Sequence, residues 1–152
     1  MPGRERTLLL IMPGVIECGR LWKVFSMISS DIRPIAWKSV IGPSPAQLMQ
    51  HFGLEKGSQA YDKTIRQFSH RTFGPVVLEG HDAIDKVRGM VGFNSPLGYG
   101  VTTINGMFVV DTEQKAVEEE RMHEYAAYAS GPESAADDIR LWFGQLELPP
   151  VK

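Results

Sequence analysis

Cysteine is nearly absent from this 152-residue chain, where Cys18 stands alone. A single thiol excludes an internal disulfide and a cysteine zinc cluster, and it fits a reduced compartment. A Lys/Arg-rich tract is missing too. The 16 basic and 18 acidic residues are interleaved for a net charge of −2, so nothing in the charge pattern points to nucleic acid. Long apolar runs are also wanting. Leu8 to Met12, the longest near the start, is too short for a membrane span and lacks the cleavage site of a secretory signal. The expectation is a cytoplasmic protein with no membrane partner.

What is present suits a globular fold. Hydrophobic residues make up 43% and charged residues 22%, ordinary proportions for a soluble domain. With no repeat, linker or composition break, 1–152 reads as one domain, long enough to bury about two-thirds of its unfolded surface. Thr7 to Met12 is a continuous apolar run ended by Pro13-Gly14, the mark of a strand buried on both faces. Gly19 to Ile28 has helical spacing of Leu21, Val24, Phe25 and Ile28, and Ile35 to Ile41 reads as a strand. Ser44-Pro45-Ala46-Gln47 has the form of a capping box, starting a helix that Gly53 stops. A helix over Tyr61 to Phe68, a strand over Pro75 to Leu78 and a helix over His81 to Val91 follow. Gly106 to Val110 reads as the last strand, and Ser130 with Glu133 as a second capping box. The order suggests an α/β (α+β) sandwich, a four-stranded antiparallel sheet with helices over one face, ferredoxin-like in arrangement.

Several segments, taken in order, resemble nucleoside diphosphate kinases. They are Glu5 to Ile11, Pro13-Gly14-Val15, Gln50-His51-Phe52, Leu78-Glu79-Gly80, Val87 to Gly92, Asn94-Ser95-Pro96, Thr102 to Gly106 and Tyr128 to Phe143. In that family a histidine opens the last motif and carries the transferred phosphoryl group. Counting back from Ile139-Arg140-Leu141-Trp142-Phe143 without a gap puts Ala127 there; a one-residue gap puts Tyr128 there. Neither forms a phosphohistidine, and Tyr128, with an ordinary pKa near 10, is a poor nucleophile.

The resemblance implies further losses. Met12 stands where the family has Lys, and the turn after it has lost its Asp. Phe52 replaces a Tyr, Asn94 a phosphate-binding Thr, and Asn105 a phosphate-binding Arg. Glu124 falls near the place of an Asn and would repel phosphate if it pointed inward. Arg88 keeps its charge. Charge-assisted hydrogen bonds contribute about 1.5–3 kcal/mol each, so losing the Lys and the Arg weakens phosphate binding by about 3–6 kcal/mol, roughly 10²- to 10⁴-fold.

Three readings follow. The first is a catalytically inactive relative acting as a structural or binding subunit. The resemblance implies a homo-oligomer, and the divergent stretch 111–130, about nine residues longer than expected, is a candidate partner surface. The second is a divergent kinase that transfers the γ-phosphoryl of a nucleoside triphosphate to a diphosphate through His123, displaced by that insertion. The third is a nucleotide sensor using Arg88, Asn94, Asn105 and Tyr61, the last where the family stacks a base. No residue set has metal-ligand spacing, so Mg²⁺ enters only with a nucleotide.

Overall fold

The computed structural model describes residues 4–92, 103–108, 113–144 and 148–149. In chain order the elements are β1 (Arg4–Ile11), α1 (Pro13–Glu17), α2 (Leu21–Ser26), β2 (Ile32–Trp37), β3 (Val40–Ile41), α3 (Pro45–Phe52) and α4 (Gln59–Phe68). They continue with β4 (Thr72–His81), α5 (Ala83–Val91), α6 (Ile104–Met107), α7 (Glu113–Glu118), β5 (Ala127–Ala129) and α8 (Ala135–Trp142). The strands pair antiparallel in the order β2-β4-β1-β5, and β3 adds to the Thr72–Phe73 end of β4.

Alternation along β1 divides the core. Leu9 and Ile11 pack with Val76, Leu78, Val24, Val87 and Val91 on one face. Leu8 and Leu10 pack with Val77, Leu48, Phe68 and Trp142 on the other. Both faces are therefore covered, α2 and α5 on one and α3, α4 and α8 on the opposite, not one face as expected. The physical reason was already in the run Thr7 to Met12: a strand apolar at successive positions needs cover on both sides.

Local chemistry set most boundaries. Ser44 and Gln47 form the capping box of α3, and Gly53 closes that helix in the left-handed region at φ 65°. Gly80 is required by close approach: a Cβ there would lie 2.8 Å from the Asp31 carbonyl oxygen. Pro13 does not end the chain's first element in an open turn but occupies the first position of α1, where its missing N–H costs nothing. Gly19, at φ 70°, stays outside the helix expected over Gly19 to Ile28, and α2 is confined to Leu21–Ser26. The expected strand Ile35 to Ile41 is two strands, and the β2 register shifts between Pro34 and Ala36 because Pro34 has no N–H for the ladder.

Two expectations near the C-terminal half are corrected. Gly106 is helical, since Thr103 caps α6 by accepting from the Gly106 N–H at 3.1 Å; residues 109–110 lie outside the described residues. The last strand is instead β5, seventeen residues or more further on. Ser130 is not an N-cap: its hydroxyl donates to Asp138, and Ser134 precedes α8 without a side-chain cap.

Candidate functional site

Three of the residues tied to phosphate chemistry by resemblance, Met12, Asn105 and Ala127, meet where β1 ends and β5 begins. Ile11 pairs with Ala127, and the Met12 N–H donates to the Ala126 carbonyl at 3.0 Å. Ala127 has no exposed surface, and Met12 is buried in the cluster shared with Leu48 and Phe68. Asn105, on α6, is buried as well. Its Oδ1 accepts from the Ala126 and Ala127 N–H groups at 2.9 and 3.0 Å, and its Nδ2 donates to the Ala127 carbonyl at 3.1 Å. The amide thus holds the backbone where β5 begins. The side chain that resemblance puts in the place of a phosphate-binding Arg bonds the backbone at Ala126 and Ala127.

The opposite face of β5 presents Tyr128. Its ring lies 4.6 Å from that of His51, which also meets Phe52 at 4.9 Å. The Trp142 indole N–H donates to His51 Nδ1 at 3.2 Å, so the proton of the neutral ring sits on Nε2, buried without a partner. Burial pulls the His51 pKa down to about 4 against the pull of Asp138. Burial pushes the Tyr128 phenol up, helped by the Asp138 charge and opposed by a hydrogen bond with Ser134 and by the charge of Arg88. Arg88 itself is exposed on α5. Phe52 stacks on Phe68 at 5.9 Å, and Tyr61 is half-buried in the first turn of α4. Asn94 lies outside the described residues.

His123 lies in the chain segment leading to β5. It is half-buried with its ring 4.6 Å from Tyr125. The preceding Met122 exchanges two backbone hydrogen bonds with the Gln67 side chain, both at 3.0 Å, which fastens this segment to α4.

Glu124 does turn inward, but not as a free charge. It accepts from the Gly14 N–H at 2.6 Å and from Arg71 Nη1 at 2.5 Å, while Arg71 also reaches Glu17 at 2.6 and 2.9 Å. Arg71 holds the Glu17 carboxyl below its usual range, and the two carboxylates raise the Arg71 pKa. The expected repulsion of phosphate by Glu124 is reduced by Arg71 but not cancelled, because the same guanidinium also serves Glu17. Sequence reasoning missed Arg71 and Glu17, because residues 54 apart carry no spacing signal. A cleft of about 460 Å³ opens beside this triad, lined in part by Cys18, Arg20 and Phe108. Of the residues implicated by resemblance, Glu124 lines it together with Gly14 and Val15 of the turn after Met12. Among the described residues no three His, Cys, Asp or Glu side chains could hold a metal ion, and no helix is long and apolar enough to cross a membrane.

Sequence comparison assigns this sheet, covered on both faces, to a known family. The nucleoside diphosphate kinase profile covers residues 5–148, and the chain belongs to that family. A nucleoside diphosphate kinase of Prochlorococcus marinus is 30% identical over 148 residues, covering 95% of this chain and 89% of that protein. One of Clostridium perfringens is 25% identical over 146 residues, 93% of each chain. In fold, the chain is similar to a nucleoside-diphosphate kinase from Borrelia burgdorferi solved as a transition-state mimic with bound vanadate and ADP. That likeness has a TM-score of 0.84 at 22% identity and covers 100% of this chain and 94% of the other.

Proposed function

We propose that this protein is a non-catalytic member of the nucleoside diphosphate kinase family, acting as a structural, binding or nucleotide-sensing subunit in a homo-oligomer. The observation that carries this reading is the state of the β1/β5 corner. Ala127 fills the nucleophile's place by resemblance and is wholly buried, and the Asn105 amide is committed to the Ala126–Ala127 backbone. A ping-pong transfer needs a side chain that becomes covalently phosphorylated, and an alanine methyl has no such atom. Met12 supplies no cation, and Arg88 is the exposed charge left for a phosphate.

Kinship favours a second reading. The relatives are described as nucleoside diphosphate kinases, and such kinship weighs toward a divergent kinase using His123 as the phosphoryl carrier. One experiment separates the two. Purified protein is incubated with γ-labelled ATP and Mg²⁺, then assayed for acid-labile protein phosphate and for transfer to GDP. The non-catalytic reading expects neither signal. Both signals, abolished in His123→Ala, overturn it and establish the kinase. Saturable ADP binding without turnover, lost in Arg88→Ala, assigns the sensor role within the first reading.

A further inference from the structure

The opposite end of the sheet carries a second ionic cluster. Glu79 on β4 lies between β1 and β2, directly across from Arg6 and Arg33 in the two ladders. Its carboxylate accepts from Arg6 Nε and Arg4 Nη2 at 2.8 Å each, and from Arg33 Nη2 at 3.2 Å. Glu79 is buried, whereas the Arg4 and Arg33 side chains are 46% and 59% exposed. Three guanidiniums around one carboxylate give this cluster two more positive than negative charges, while Glu5 at the same end accepts from the Ile84 N–H and Asp31 pairs with Lys86. Asp82, at the end of β4, is engaged by His81 at 3.3 Å.

The geometry points to a binding site here for a compact multivalent phosphoanion, held by Arg4 and Arg33 over Glu79. Both arginines give one terminal nitrogen to the same oxygen, Glu79 Oε1, so those nitrogens lie within roughly 6 Å of one another, a span that a diphosphate bridges. The buried carboxylate fixes the two forks before any ligand arrives. That removes part of the ordering cost that long, exposed side chains otherwise impose on binding. Guanidinium forks match phosphate oxygens in geometry and remain charged at any working pH. The site is separate from the family corner. Arg4 and Ile11 are the two ends of β1, and an eight-residue strand spans roughly 25 Å.

A nucleotide in the family corner and an anion here are told apart by variants. Inorganic pyrophosphate is titrated by calorimetry and by backbone amide NMR shifts, at low and at high NaCl. Binding is expected with shifts centred on β1, β2 and β4, weakening as salt rises. Arg4→Ala/Arg33→Ala should weaken it roughly tenfold or more, with Arg88→Ala unchanged. The single exposed variant Arg33→Gln, checked for an unchanged circular dichroism spectrum, should show a smaller loss. Free oligophosphates and phosphorylated lipid headgroups share this chemistry. Retention on vesicles of phosphatidylcholine with a bisphosphorylated inositol lipid, lost in the double variant, assigns the lipid source; pyrophosphate binding without retention assigns the free anion. No binding of either probe at millimolar concentration, or binding lost in Arg88→Ala but kept in Arg4→Ala/Arg33→Ala, overturns the proposal.

Discussion

At one end of β1 a single guanidinium, Arg71, is shared by Glu17 and Glu124; at the other a single carboxylate, Glu79, is shared by Arg4, Arg6 and Arg33. The clusters are near mirror images in charge. The first closes inward, with Gly14 donating to Glu124 and Asn105 holding β5. The second leaves two arginines at the surface. At the first end the guanidinium is held by two of the chain's own carboxylates, and at the second three guanidiniums share one carboxylate. A side chain's charge and its availability to a ligand are therefore separate properties, and only the second bears on function.

The inward cluster gives the largest expected effects. Arg71→Met leaves Glu124 buried without its cation, which should cost about 3–5 kcal/mol in urea denaturation. Arg71→Met/Glu124→Leu removes both charges and should regain most of that loss. Equal losses in the single and double variants would show that Arg71 acts through its contact with the Phe68 ring, 5.7 Å away, and not through Glu124. Asn105→Ala comes next. It strips the Ala126 and Ala127 N–H groups of their buried acceptor and should cost about 2–4 kcal/mol. Hydrogen exchange should quicken at those two amides ahead of β4. An unchanged exchange rate there would mean that water replaces the amide and that the corner admits solvent.

How much of this was legible beforehand divides along the same line. Elements governed by local chemistry were readable: Ser44, Gln47 and Gly53 announce both ends of α3 within ten residues, and the apolar run of β1 announces a buried strand. The fold class followed from their order. What the sequence concealed was long-range pairing. Nothing near Arg71 names Glu124, 53 residues on, and Arg4, Arg6 and Arg33 look like scattered charges until the strand order brings them around Glu79. The strand expected over Gly106 to Val110 failed for a related reason. Short apolar runs suit either a strand or a helix, and the Thr103 cap decided the matter at the first turn.

The outward cluster should be costlier to disturb at neutral pH than in acid. Glu79→Gln leaves three guanidiniums facing one another and should cost about 1–3 kcal/mol at pH 7. Hydrogen bonding from Arg6, opposed by burial and aided by Arg4, holds the Glu79 pKa down to about 2 against the usual 4.5. A carboxyl whose folded pKa is depressed stabilises the fold fully above its unfolded value and loses that contribution as pH falls through the folded one. The Glu79 contribution is therefore present above about pH 4.5 and gone by about pH 2. The difference in stability between the parent and Glu79→Gln should shrink over that window. A difference constant from pH 5 to pH 2 would mean that the arginines are held by packing and not by the carboxylate.

The smallest effect distinguishes the aromatic cluster from both ionic ones. His51 has its pKa pulled to about 4 from 6.5 by burial. Between those values the unfolded chain takes up a proton that the folded chain refuses, so stability falls as pH drops from 6.5 toward 4, a window that lies mostly above that of Glu79. His51→Gln keeps an acceptor for the Trp142 indole and should change stability by less than about 1 kcal/mol at pH 8. Its denaturation midpoint should then stay flatter than the parent's from pH 6.5 to 4, while both fall together below 4 as Glu79 is protonated. If the two proteins lose stability in parallel above pH 4.5, the proton is taken up elsewhere, and the ring between Tyr128 and Trp142 is not the group that senses it.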